Sequence, residues 1–402
     1  MPTDQRLPVA YDAVRDCIGL SEVDAYVHLG EGTDDMLRYL SRVDGGDHTY
    51  GVVLDDDATT LFVTSTYVDE AHREFPGDKI VEINEDVTTE IEQFLAVSRF
   101  GSESGSGSRS GSDIEIKVPG TTDAEHYLAV SEFADVEVVE APVAARNRKN
   151  EQEQRILADV ERGAQYALAR AETVLATAEV REDQLYWEGD PLTTDPLRAE
   201  IRKALADVGL SDGSGAIIGA GPTAAELHFT GQDTIGPNET VLIDLGPRGQ
   251  QGYYGDITRT FVRGEPSEWT REAHAIVREA LDAAFAVIED GAGVPARDTY
   301  EAIVDVVESH GYAAGNLDVG LTHGTGHGVG VSIHEPPFSK GNMDLEAGTV
   351  MTIEPGLYDP DRGGVRLEDL VLITEDGFEN LVEYPYGLEP TVRDSPPGFL
   401  PG

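Results

Sequence analysis

Four acidic residues interrupt segments that otherwise read as β-strands. Asp244 sits near the end of TVLIDLG (240–246), and Asp256 lies inside YGDITRTFV (254–262). Glu354 follows Ile353 in TVMTIEPGLY (349–358), and Glu368 lies inside GVRLEDLVLIT (364–374). Runs so rich in β-branched and apolar residues suit a buried sheet. A carboxylate carried into that setting loses its water at a cost of several kcal/mol per ion. Arg259 or Arg366 can neutralise one of them. Four together exceed what the nearby arginines explain. Cations of charge two or more would offset the repulsion.

A histidine cluster adds to this demand. The stretch HGTGHGVGVSIHEPP (323–337) holds His323, His327 and His334, in a chain with 10 histidines among 402 residues. It is not a dinucleotide fingerprint, because Val329 stands where the third glycine belongs. No H-E-x-x-H pattern is present, and a single cysteine cannot make a thiolate-lined site. Carboxylates with an imidazole suit Mn²⁺, Co²⁺, Fe²⁺, Mg²⁺ or Zn²⁺. Four carboxylates are more than one catalytic ion needs. They fit two ions ~3.5–4 Å apart, a pair that holds a hydroxide at neutral pH and polarises a carbonyl. Amide hydrolysis is the natural use.

The rest of the chain frames the site. A length of 402 residues predicts two domains. The first part carries strand-like TYGVVL (49–54) and TTLFVT (59–64), with a helical stretch at 33–43. Around APVAARNRKN (141–150) the text turns basic, and a long helical pattern follows. We place domains at 1–145 and 146–402. Further helices are expected at 196–209, 268–291 and 296–311. The Gly/Ser run 101–113 is expected as a mobile loop, with no binding role for its Arg109. Cys17 is expected as a small buried hydrophobe.

The chain has 76 acidic against 29 basic residues, a net charge of -47, and only five of the bases are lysines. No nucleic-acid partner is expected, because its phosphates would be repelled. The same surface suits high salt. No apolar run crosses a bilayer and no signal peptide is visible, so no membrane partner and a cytoplasmic location are expected.

The blocks VLIDLG, GDITRTF, HGTGHGVGVSIHEPP and TIEPG…VRLEDL, in this order, resemble the pita-bread metallopeptidases. These include methionine aminopeptidases, Xaa-Pro aminopeptidases and prolidases, and the outer histidines are similar to the proline-specific branch. The resemblance covers about 150–390. It implies an α+β chain, with a pita-bread catalytic domain after a smaller α/β domain. It implies two divalent ions, manganese first, with cobalt, zinc or iron as alternatives. The ligands would be Asp244, Asp256, His327, Glu354 and Glu368. Asp256 and Glu368 would bridge, Asp244 would chelate one ion, and His327 and Glu354 the other. Glu354 would also be the general base for a bridging hydroxide. His228, His323 and His334 would grip the substrate carbonyl and shape the proline pocket. Arg366 and Tyr358 match an arginine and a tyrosine behind the site. The resemblance further implies peptide substrates, cleavage after the first residue of Xaa-Pro peptides, and a homodimer. Methionine-aminopeptidase-like activity, another pita-bread enzyme and a non-catalytic binding protein are the alternatives. Asp244 and Asp256 are twelve apart where the family usually has eleven. The glycine-rich GPRGQQGYYG between them reads as a turn that absorbs the difference.

Overall fold

The structure is a computed structural model that describes residues 6–100, 114–315 and 318–393. The Gly/Ser run 101–113 lies outside the described residues. The chain divides into two compact units, Met1–Arg146 and Asn147–Gly402.

In the first unit the elements run α1 (Tyr11–Ile18), β1 (Ala25–Gly30), α2 (Asp35–Ser41), β2 (Tyr50–Leu54), β3 (Thr59–Thr64), α3 (Val68–Glu74), β4 (Lys79–Ile83), α4 (Val87–Phe100), β5 (Glu115–Pro119), α5 (Ala124–Ser131) and β6 (Asp135–Val139). They build one mixed six-stranded sheet in the order β4-β3-β2-β1-β5-β6. The Asp34 side chain caps α2 by accepting from the Leu37 N–H, as a short acidic residue does at a helix start. Cys17 corrects the expectation above: it is exposed. On α1 it is Val14 and Ile18, four residues apart, that face inward.

The second unit opens with α6 (Glu151–Thr177). Asn150 and Glu153 close a reciprocal capping box at its start. Then follow β7 (Glu179–Arg181), β8 (Gln184–Trp187), β9 (Asp190–Pro191), α7 (Thr194–Asp207), β10 (Ile217–Ala220), β11 (Val241–Leu245), β12 (Ile257–Phe261), α8 (Glu268–Val287) and α9 (Ala296–Ser309). The last stretch is all strand: β13 (His327–Gly328), β14 (Glu335–Phe338), β15 (Val350–Ile353), β16 (Gly356–Asp359), β17 (Gly363–Arg366), β18 (Asp369–Ile373) and β19 (Phe378–Asn380). An antiparallel set β10-β11-β12, an antiparallel set β14-β13-β15-β18-β19 and a β16-β17 hairpin carry the site.

The core explains which residues reach that site. Ile276, Val277 and Leu281 of α8 and Ile303 and Val307 of α9 pack against Met351, Ile353, Leu357, Val365 and Leu367. Side chains alternate across an extended chain. The intervening Thr352, Glu354, Tyr358, Arg366 and Glu368 therefore project from the other face.

Two of the expected strands are broken. The segment 349–358 splits at Glu354-Pro355, and 364–374 splits at Leu367-Glu368. Pro355 has no N–H to donate to a ladder. The Glu368 N–H leaves its own neighbours and donates to Thr258 O at 3.1 Å. Glu368 thus sits at a switch of partner, not in mid-strand.

Candidate active site

β11 and β12 pair with Asp244 opposite Thr258. Asp256 lies two residues before Thr258, so by alternation all three project to one side. The 246–256 connection folds on itself, with a bridge between Arg248 and Tyr254 that takes up its length. A further bridge sets Thr258 against Glu368. Thr258 is therefore flanked by a carboxylate on either side. Its hydroxyl donates to Glu368 Oε2 at 2.6 Å. Behind Asp256, the fully buried Glu161 accepts the Asp256 N–H at 2.9 Å.

His327 arrives from the opposite sheet. Its N–H donates to Thr352 Oγ1 at 3.1 Å, and its ring Nδ1 faces the Gly328 carbonyl at 3.1 Å. That contact assigns the ring proton to Nδ1. Nε2 then carries a lone pair, 3.5 Å from Glu354 Oε1 and 3.7 Å from Asp256 Oδ2. Ligating atoms of Asp256, His327 and Glu368 all lie within 4.8 Å of one another.

The electrostatics are those of a centre made for positive charge. Burial first, and then the charges of Glu368 and Asp244, hold the Asp256 carboxyl well above its usual range. Burial and Glu368 do the same to Glu354. Burial and Asp244 push Glu368 up to about 8, although Arg366 and Thr258 pull the other way. Burial also lowers His327 to about 4, so its ring is neutral at pH 7. Neutral imidazole and carboxylate oxygens facing one another are mutual acceptors. Divalent cations satisfy them all, and the donor set fits such ions.

The remaining residues surround this floor. Arg366 Nη2 pairs with Asp244 Oδ2, its Nε donates to Thr258 Oγ1 at 3.1 Å and its Nη1 to Tyr358 Oη at 3.1 Å. The Tyr358 hydroxyl lies 2.9 Å from His323 Nε2, and His323 Nδ1 lies 2.5 Å from the Gly324 carbonyl. Both nitrogens of His323 are thus engaged, with Nδ1 as donor and Nε2 as acceptor from Tyr358. Burial lowers His323 to about 3 and raises Tyr358 to about 12. The His334 ring stands edge-on to His327, with centroids 4.4 Å apart. His228 and His334 are exposed at the rim. Asp244, Asp256, His327, Glu354, Glu368, His228, His323, His334 and Arg366 all line one cavity of about 380 Å³, with Ile217, Leu227 and Ile333 as apolar wall. Tyr358 stands behind it, reached through His323 and Arg366.

Sequence reasoning missed Thr258 and Glu161. Thr258 carried a signal, since it lies two residues from Asp256 in the same strand-like run. Glu161 carried none, because it sits on a long helix among many acidic residues.

A centre of carboxylates and one imidazole on a sheet floor, backed by helices, has the donor set of a divalent-metal site in a chain of α+β architecture. The family model for metallopeptidase family M24 matches residues 162–375, more than half of the chain, and the chain belongs to that family. It is 34% identical over 199 residues to the probable dipeptidase PepE of Mycobacterium tuberculosis, covering 49% of this chain and 51% of that protein. It is 38% identical over 166 residues to the Xaa-Pro dipeptidase of Lactobacillus helveticus, covering 40% and 43%. The chain spans about half the length of the curated relatives it matches. Among solved structures, the Xaa-Pro dipeptidase from Bacillus anthracis aligns with a TM-score of 0.78 at 24% identity, covering 94% of this chain and 98% of that one. The prolidase from Pyrococcus horikoshii aligns at 0.75 and 23%, covering 94% and 99%. At those identities the likeness shows the fold, which is the α+β pita-bread architecture. Among the described residues no helix is long and apolar enough to cross a membrane.

Proposed function

We propose that the chain hydrolyses the first peptide bond of Xaa-Pro peptides, with two divalent cations. One observation carries the reading: all five expected ligands line the same cavity as His228, His323 and His334. The names of the relatives, Xaa-Pro dipeptidase among them, support it. Asp256 and Glu368 would be shared between the two cations, with Asp244 on one and His327 and Glu354 on the other. Manganese is the first choice, while the same donors accept cobalt, zinc or iron. When bound, the cations supply Lewis acidity to the scissile carbonyl and lower the pKa of an attacking water.

The chain's own groups do the rest. Glu354 takes the proton of the attacking water on a carboxylate oxygen and passes it to the proline nitrogen as the C–N bond breaks. His334 and His228, at the rim, direct ring N–H groups at the scissile carbonyl. His323, fixed by Tyr358 and Gly324, shapes the wall beside Glu354. Proline offers no amide N–H, so recognition falls to an apolar surface for its ring. Ile217, Leu227 and Ile333 provide one. We further propose a cytoplasmic homodimer, which light scattering at high salt tests against a monomer.

The deciding experiment is one assay panel with Mn²⁺, Co²⁺ or Zn²⁺ at high salt. It compares a Xaa-Pro dipeptide, a Xaa-Pro-Yaa tripeptide and a Met-Ala-Yaa tripeptide. Turnover of either proline substrate is expected to exceed that of Met-Ala-Yaa. Faster cleavage of Met-Ala-Yaa moves the chain to methionine-aminopeptidase-like activity. No turnover with metal bound identifies a binding protein.

A further inference from the structure

We infer that the buried Lys149–Glu335 ion pair is a positioning device for the loop that carries His334, and through it for the substrate side of the cavity. Lys149 Nζ lies 2.6 Å from Glu335 Oε1, with side chains only 2% and 1% exposed. Burying two charges costs several kcal/mol per ion, so an apolar pair would serve stability as well or better. What an ion pair adds is one defined geometry.

Both ends of the pair are anchored. The Lys149 N–H donates to Gly348 O at 2.9 Å. Its carbonyl accepts from Gln154 Nε2 at 2.7 Å. It directly precedes the capping box that opens α6. The ammonium is therefore a fixed point. At the other end the glycine-rich loop closes tightly on Glu335. A Cβ placed on Gly330 would fall 2.3 Å from Glu335 Oε1, and one on Gly328 would fall 2.8 Å from Glu335 O. The pairing of β13 with β14 also shifts register here. Gly328 pairs with Glu335, whereas His327 pairs with Phe338. Pro336 and Pro337 are thus extra to the ladder, and register alone does not hold His334 in place.

Glu335 is buried and its neighbour His334 is exposed. His334 is the last residue of the bend that leads into β14 at Glu335. The carboxylate therefore anchors the inner side of the same few backbone atoms whose outer side presents His334, 4.4 Å from the His327 ring. A slip at Glu335 moves the His334 ring.

The kinetic part of the test rests on the Xaa-Pro reading; the spectroscopic part does not. Lys149→Met, His334→Ala and the double variant are compared on a Xaa-Pro-Yaa substrate, with metal content measured in each. Lys149→Met is expected to lower kcat/KM about tenfold or more in the wild-type background with metal retained, and less than about twofold in the His334→Ala background. An equal loss in both backgrounds, or no loss in the first, overturns the inference. In parallel, the His334 ring ¹H–¹³C signal, assigned with His334→Ala, is expected to shift in Lys149→Met. An unmoved signal overturns the inference even if the wild-type chain cleaves no peptide, a result that would separately remove the Xaa-Pro reading. If Lys149→Met does not fold, Lys149→Met/Glu335→Gln leaves no unpaired charge and takes the same measurements.

Discussion

Thr258 and Glu368 face each other across a single β-bridge, and the threonine hydroxyl donates to the carboxylate at 2.6 Å. The same oxygen accepts from Arg366 Nε at 3.1 Å, and Arg366 also pairs with Asp244. A neutral hydroxyl thus passes the influence of one cation to a carboxylate that the cation does not touch. It also fixes which Glu368 oxygen stays open towards Asp256 and His327.

Thr258→Val keeps the shape of the side chain and removes both hydrogen bonds. Such outer partners of ligating groups are worth about 10–100-fold in metal affinity. We expect weaker Mn²⁺ binding by calorimetry within that range, with activity recovering at saturating metal. Unchanged affinity would remove Thr258 from the centre.

The cavity floor and rim should separate in mutational tests. Asp256→Ala or Glu368→Ala is expected to lose metal and activity together, since the proposed shared ligands go. His334→Ala is expected to keep metal and lose about 10²-fold or more in turnover, the scale of one lost transition-state donor. Metal analysis of the purified variants reads both. Full metal content in Glu368→Ala would contradict the shared-ligand role.

Much of the floor was legible because carboxylates in apolar strand-like runs are costly and therefore conspicuous. Asp244, Asp256, Glu354 and Glu368 could be picked out on that ground alone, whereas His327 was set apart from His323 and His334 only by the family resemblance. The breaks at Pro355 and Glu368 were less visible, because a strand that changes partner keeps the same alternation of side chains. Lys149 and Glu335 were invisible as a pair: 186 residues separate them, and no periodicity links a linker lysine to a loop glutamate. Cys17 was misread because burial was inferred from residue type instead of from the face of α1 it occupies.

Acid–base behaviour follows from the buried carboxyls. Burial raises Glu161 from 4.5 to about 8, and burial with Asp244 raises Glu368 from 4.5 to about 8. The folded state therefore binds more protons than the unfolded chain between those values, so stability falls as pH rises there. Without metal, stability is greatest below about 4.5 as far as these two groups go, and their contribution is gone above about 8. Metal-stripped protein is expected to melt lower at pH 8.5 than at pH 6, and added Mn²⁺ should shrink the difference by holding Glu368 ionised. A melting temperature of stripped protein that is higher at pH 8.5 would refute this.

Salt should stabilise the folded chain. A net charge of -47 on 402 residues makes the folded surface repel itself. The acidic residues are spread along the whole chain, so the repulsion acts throughout the surface and no single tail can relieve it by moving away. The unfolded chain spreads the same charges further apart, so dilute buffer favours unfolding. Screening shortens the reach of these charges from ~10 Å at 0.1 M salt to ~3 Å at 1 M. Pairs buried from water, such as Arg259–Asp369, are screened much less and keep their strength. The melting temperature should therefore rise by about 5 °C or more between 0.1 M and 2 M KCl, since each kcal/mol is worth roughly 2–4 °C in a unit of about 150–250 residues, the size of either half of this chain. Scanning calorimetry on the metal-loaded protein measures it at fixed Mn²⁺ and pH. A flat or falling trend would show that the charge is simply solvated and that the chain is not adapted to salt.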